Sequence, residues 1–68
     1  MTPEQAIGQL CVAVGILIAR GIEESHIKCL IESILVLAKS AGVSREKAIQ
    51  PFDLYARYAE EIWDEEII

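Results

Sequence analysis

His26 and Cys29 stand three residues apart, close enough to share one face of a helix, and an imidazole beside a thiolate is a pair that can ligate zinc. Zinc takes four protein ligands, or three and a water. Only Cys11 and nearby Glu23 could complete the set, and neither stands at a spacing that marks a ligand framework. A packed cysteine and a half-exposed histidine near a helix start account for the same residues, so no metal and no cofactor is expected. General acid–base chemistry has just as few carriers. His26 is the single histidine, and the closely spaced carboxylates Glu60, Glu61, Asp64 and Glu65 fall on a chain end where they are expected to be solvated and have no need of shifted acidity. There is no glycine-rich phosphate loop and no nucleophile elbow, and 68 residues leave no room for a second domain to wall a pocket. An enzyme is not expected.

What remains for these side chains is recognition, and the charge distribution says where. The chain carries a formal net charge of −5, but its six basic residues (Arg20, Lys28, Lys39, Arg45, Lys47, Arg57) are balanced by Glu4, Glu23, Glu24, Glu32, Glu46 and Asp53. The excess lies in residues 60–68, EEIWDEEII, which also hold the single tryptophan. Negative charge at a helix C-terminus opposes the macrodipole. The segment therefore reads as a frayed, solubilising end. The alternative is a docking element in which Trp63 and Ile62 anchor in a partner protein while Glu61 and Glu65 meet its basic rim, with Tyr55 and Tyr58 extending the surface.

The elements that would position these residues are helical. Hydrophobic residues make up 53% of the chain and aromatic ones only 6%, a composition for aliphatic helix-on-helix packing in one domain spanning 1–68. Thr2-Pro3-Glu4-Gln5 has the form of a capping box with proline at the first helical position, and Gly21 is the natural stop. Glu23, Glu24 and Ser25 open a second helix, in which Ile27, Leu30, Ile31, Ile34, Leu37, Ala38 and Ala41 recur at three- and four-residue spacing up to Gly42. Ser44 caps a third, and Pro51 must kink or split it near Gln50. From Pro51 to about Glu66 the apolar set Phe52, Tyr55, Ala56, Ala59, Ile62 and Trp63 again keeps helical spacing. The expected fold is all-α, a small three-helix bundle with its last helix kinked or split.

The first helix is anomalous. From Ile7 to Ala19 it contains no charge, so it is apolar nearly all the way round and needs cover on every side. A domain this small buries only about 60% of its unfolded surface, which leaves too little protein to supply that cover. Gly8, Cys11, Gly15 and Ala19 recur at intervals of three and four, forming a groove where another helix can approach closely. A glycine inside a helix costs about 0.5–1 kcal/mol relative to alanine, and close packing is a reason to keep two of them. We therefore expect a homodimer or higher oligomer joined through Ile7, Gly8, Cys11, Val14, Gly15, Ile18 and Ala19. The uncharged run is too short to span a bilayer, which takes about 20 residues. Two cysteines without a secretory leader pattern suggest a reducing, cytoplasmic setting with no membrane contact.

One local pattern points elsewhere. Ala38-Lys39-Ser40-Ala41-Gly42-Val43-Ser44-Arg45-Glu46-Lys47-Ala48 resembles the turn of helix-turn-helix DNA-binding domains, with a small residue, a glycine four positions later and a Val-Ser pair opening the next helix. The resemblance implies a transcriptional regulator whose Arg45, Lys47 and Gln50 face the major groove. A glycine C-cap followed by a serine N-cap is also what any tight helix connection requires. Strong DNA binders neutralise on the order of 6 to 10 phosphates, and this chain's few cations are scattered among acids, which argues against a nucleic-acid partner. The leading expectation is a small non-enzymatic interaction protein, a regulator or inhibitor that binds a larger protein. The DNA-binding regulator and a purely structural homo-oligomer subunit are its alternatives.

Overall fold

The computed structural model describes residues 1–52 and 54–65. These form four helices: α1 (Pro3–Ala19), α2 (Glu24–Ser40), α3 (Arg45–Ile49) and α4 (Ala56–Glu65). Their ends follow from residue type. The Thr2 hydroxyl accepts the Gln5 N–H at 3.2 Å while Gln5 Oε1 accepts the Thr2 N–H at 2.9 Å, which closes the capping box. Gly21 and Gly42 hold φ of +83° and +78°, the left-handed region that favours glycine. Each ends its helix in a Schellman motif. The Ile22 and Gly21 N–H groups donate to Leu17 and Ile18, and the Val43 and Gly42 N–H groups donate to Ala38 and Lys39. In the second motif Val43 and Ala38 are both buried, so the apolar contact that accompanies such a cap is also in place.

The expected third helix is split, not kinked. α3 stops at Ile49, and Pro51 begins a connection in which the Phe52 N–H donates to Ile49 O. The helical spacing from Pro51 onward therefore overstated the helix, which starts only at Ala56. Phe52 reaches the core from this connection and not from a helix face.

α2 is the central element and packs against the other three. Ile27, Ile31, Ile34, Leu35 and Ala38 form its buried stripe, with Ile31 and Leu35 wholly enclosed. Around them lie Ile7 and Val14 of α1, Val43, Ala48 and Ile49 in and before α3, Phe52, and Ala59 and Ile62 of α4. Among the described residues, no helix is long and apolar enough to cross a membrane.

Candidate interaction surfaces

α1 is the least covered helix relative to its composition. Of the thirteen uncharged residues from Ile7 to Ala19, eight are exposed, and only Ile7 and Val14 are buried. Those two were expected at a contact between subunits. They lie instead in the subunit core, because residues seven apart share one face and that face meets α2. Ile18 and Cys11 are half-buried beside them. Leu10 and Leu17 remain partly exposed at its margin. The outward face carries Val12 (59% exposed) and Ile16 (55%), together with Gly15 and Ala19, while Gly8 is half-buried at its edge. Val12 and Ile16 were not assigned to a surface from sequence. Their spacing of four from Gly8 and from each other is the signal that places them.

Beside this face lies a half-open apolar groove of about 380 Å³. Gly8, Cys11 and Gly15 form one wall, Phe52, Leu54 and Tyr55 the other, and Ile31 of α2 lies between. Leu54 is 88% exposed on the groove's rim. A Cβ built on Gly8 or Gly15 meets no atom within 4 Å, so among the described residues nothing requires glycine at either position. Burial beside the groove pushes the Cys11 thiol up to about 11, which keeps it protonated and poorly nucleophilic at neutral pH. Cys11 and Cys29 are free thiols, and Cys29 and His26 are exposed on α2. Among the described residues, no group of three or more His, Cys, Asp or Glu side chains could hold a metal ion.

The acidic end is helical as far as Glu65; Glu66, Ile67 and Ile68, like Asp53, lie outside the described residues. Ile62 is 4% exposed and belongs to the core, so it is not available as the partner anchor expected of it. Cations from other helices offset the unfavourable charge at the end of α4. Arg45 Nε and Nη2 donate to Asp64 Oδ1 and Oδ2 at 2.9 and 3.0 Å, a two-pronged pair, and Lys39 Nζ stands 5.1 Å from the Trp63 ring centroid. The hydrogen bond from Arg45 holds the Asp64 carboxyl below the usual carboxylate range, with the nearby charges of Arg45 and Lys39 adding to it. Lys28 lies 5.3 Å from the Tyr58 ring centroid. Trp63, Tyr58 and Tyr55 are half-buried, and Glu61 and Glu65 are exposed.

The turn from Ala38 to Ala48 has the geometry its residues suggest, with Ala38 buried, Gly42 left-handed and the Ser44 hydroxyl accepting the Lys47 N–H at 3.4 Å. α3 is only five residues long. Lys47 and Gln50 are exposed, but Arg45 is held by Asp64 and sits in the negative field of Asp64, Glu60 and Glu46. Comparison of the chain with protein-family models, with curated proteins and with solved structures finds no match.

Proposed function

We propose that the chain is a small non-enzymatic interaction protein that works as a homodimer or higher oligomer joined through the outward face of α1, and that acts as a regulator or inhibitor by binding a larger protein. The observation that supports this is the exposure of Val12, Ile16, Gly15 and Ala19 on a helix with no charge from Ile7 to Ala19. Apolar surface of this kind gains free energy when water is excluded from it, at about 25 cal/mol per Å² covered. For the larger partner, the exposed carboxylates Glu61 and Glu65 beside the half-buried Trp63 offer an acidic surface on α4. Two free thiols suit a reducing, cytoplasmic setting.

Light scattering over a dilution series tests the assembly. A mass of two or more subunits is expected, and a monomer at every concentration would refute it. The helix-turn-helix alternative finds less support, because a recognition residue held in an ion pair must give up that pair to reach a phosphate or a base, and the acids around Arg45 repel phosphate. Duplex binding that weakens steeply with salt and is lost in Arg45→Ala/Lys47→Ala would restore it.

A further inference from the structure

Residues four apart on a helix line up as one ridge, and the ridge of α1 that faces outward reads Glu4, Gly8, Val12, Ile16, with Arg20 at the C-cap continuing the row. Resting on the reading that the chain self-associates through α1, we infer that two copies of α1 pair antiparallel about a two-fold axis at Val12, in contact along this row. The row is complementary to itself when reversed, in charge and in size. Glu4 of one copy falls opposite Arg20 of the other, twice over, while Gly8 falls opposite Ile16 and Val12 meets its own counterpart.

Each part of this match rests on a property of the subunit. Glu4 and Arg20 are exposed and take part in no ion pair among the described residues. Between them α1 has no charged side chain, so the contact buries no unpaired charge. Gly8 has open space where its side chain would stand, and Ile16 projects from the surface, so one supplies a hollow for the other. A parallel pairing would set Glu4 beside Glu4 and Arg20 beside Arg20, which fixes the direction. An unrelated partner has no reason to match a row about its own midpoint, whereas a two-fold contact requires that match.

The dimensions agree. From Glu4 to Arg20 is about 24 Å along the axis, so each end lies about 12 Å from Val12. At the crossing angle near 20° common for paired helices, the ends diverge by about 4 Å, within reach of glutamate and arginine side chains. Cys11, Gly15 and Ala19, on the adjacent row, are small enough to let the backbones approach. Leu54 lines the same groove as Gly8 and Val12 and would be covered by the same contact.

The test uses the full chain and combines mass measurement with two sets of variants at exposed positions. In a Cys11→Ser/Cys29→Ser background, Val12→Cys should form a disulfide-linked dimer on mild oxidation, since only a residue on the two-fold axis meets its own copy. Glu4→Arg and Arg20→Glu should each weaken the dimer roughly ten-fold, because each turns two attractive pairs into repulsive ones, and the combined swap should restore it. A dimer or larger assembly lacking either the Val12→Cys cross-link or the rescue by the double swap overturns the antiparallel pairing and leaves self-association standing. A monomer at every concentration overturns both.

Discussion

The double variant Gly8→Ala/Gly15→Ala should make the isolated subunit more stable and its self-association weaker. Both glycines lie inside α1 with helical backbone angles, the only positive φ values among the described residues being at Gly21 and Gly42. A Cβ at either position meets nothing within 4 Å, so alanine brings neither clash nor strain. The helix then gains about 0.5–1 kcal/mol per site, or about 1–2 kcal/mol for both. In a domain of this size each kcal/mol raises Tm by about 4–8 °C. At a close contact between two copies of α1 the same methyl groups have the opposite effect. Overpacking costs about 1–3 kcal/mol, and a loss of 1.4 kcal/mol is ten-fold in Kd, so Kd should rise by about five-fold to a hundred-fold.

Two assays separate these terms. Denaturant unfolding at a concentration where the wild type is dissociated reads the subunit alone, because dimer formation adds to apparent stability by mass action. Light scattering across a dilution series reads the association. Greater subunit stability with Kd unchanged or tightened would refute the idea that the glycines serve close approach. Lower subunit stability would contradict the open space around them.

The other perturbations have signs set by the same structure. Gly42→Ala should destabilise the chain by about 1–2 kcal/mol through left-handed backbone strain, opposite in sign to Gly8→Ala, and Gly42→Asn should lose less; thermal unfolding of the pair checks this. The Asp64 carboxyl titrates below its unfolded value of about 3.9, so the unfolded chain binds the proton more readily. Stability from the Arg45 pair is therefore present above that value and lost as pH falls below it, and wild type and Asp64→Asn should converge in stability toward pH 2. Alkylation at pH 8, followed by peptide mass analysis, should label exposed Cys29 well before Cys11, with the difference vanishing in denaturant. Removing residues 60–68 should unfold the chain and not merely release an arm. The loss of Ile62 alone is of the order of 2–5 kcal/mol, against a total stability of about 3–10 kcal/mol for 68 residues. Far-ultraviolet circular dichroism of the truncated chain would read the outcome.

The parts of the fold legible in the sequence are those where a single residue type meets a local backbone demand. Thr2 with Gln5, Gly21, Gly42 and Ser44 each marked a helix end that the structure places within a residue or two, because a cap or a left-handed turn needs no distant neighbour. The apolar stripe of α2, which polar residues interrupt on the other side, was legible in part: Ile27, Ile31, Ile34 and Ala38 are buried as their spacing predicts, whereas Leu37 and Ala41 are exposed and the wholly buried Leu35 lay outside the expected set. α1 offers no such contrast. When every position from Ile7 to Ala19 is uncharged and most are apolar, periodicity cannot say which face turns inward, and only the position of α2 makes Ile7 and Val14 core and leaves Val12 and Ile16 outside. The Pro51–Tyr55 stretch misled for a similar reason, since Phe52 is buried from a turn whose spacing happens to match a helix. The pairing of Arg45 with Asp64 spans 19 residues and lies beyond any local rule.

The two departures from local rules in this chain are resolved differently, and the difference bears on the proposed self-association. α4 ends in carboxylates that oppose its own dipole, and the subunit answers from within, bringing Arg45 to Asp64 and Lys39 over Trp63. α1 presents apolar side chains to water, and nothing among the described residues covers them. Pro51, Phe52, Leu54 and Tyr55 come alongside but leave an open groove, with Leu54 projecting from the rim. Charges are available to this chain, since one residue in four is charged, yet none falls between Ile7 and Ala19. A surface meant for water would tolerate a lysine or glutamate at Val12 or Ile16 without touching the core. Val12 and Ile16, two glycines that meet no described neighbour, and opposite charges at the two ends of α1 that are unpaired among the described residues are what the proposed contact with a second α1 needs, and together they support placing that contact on the first helix.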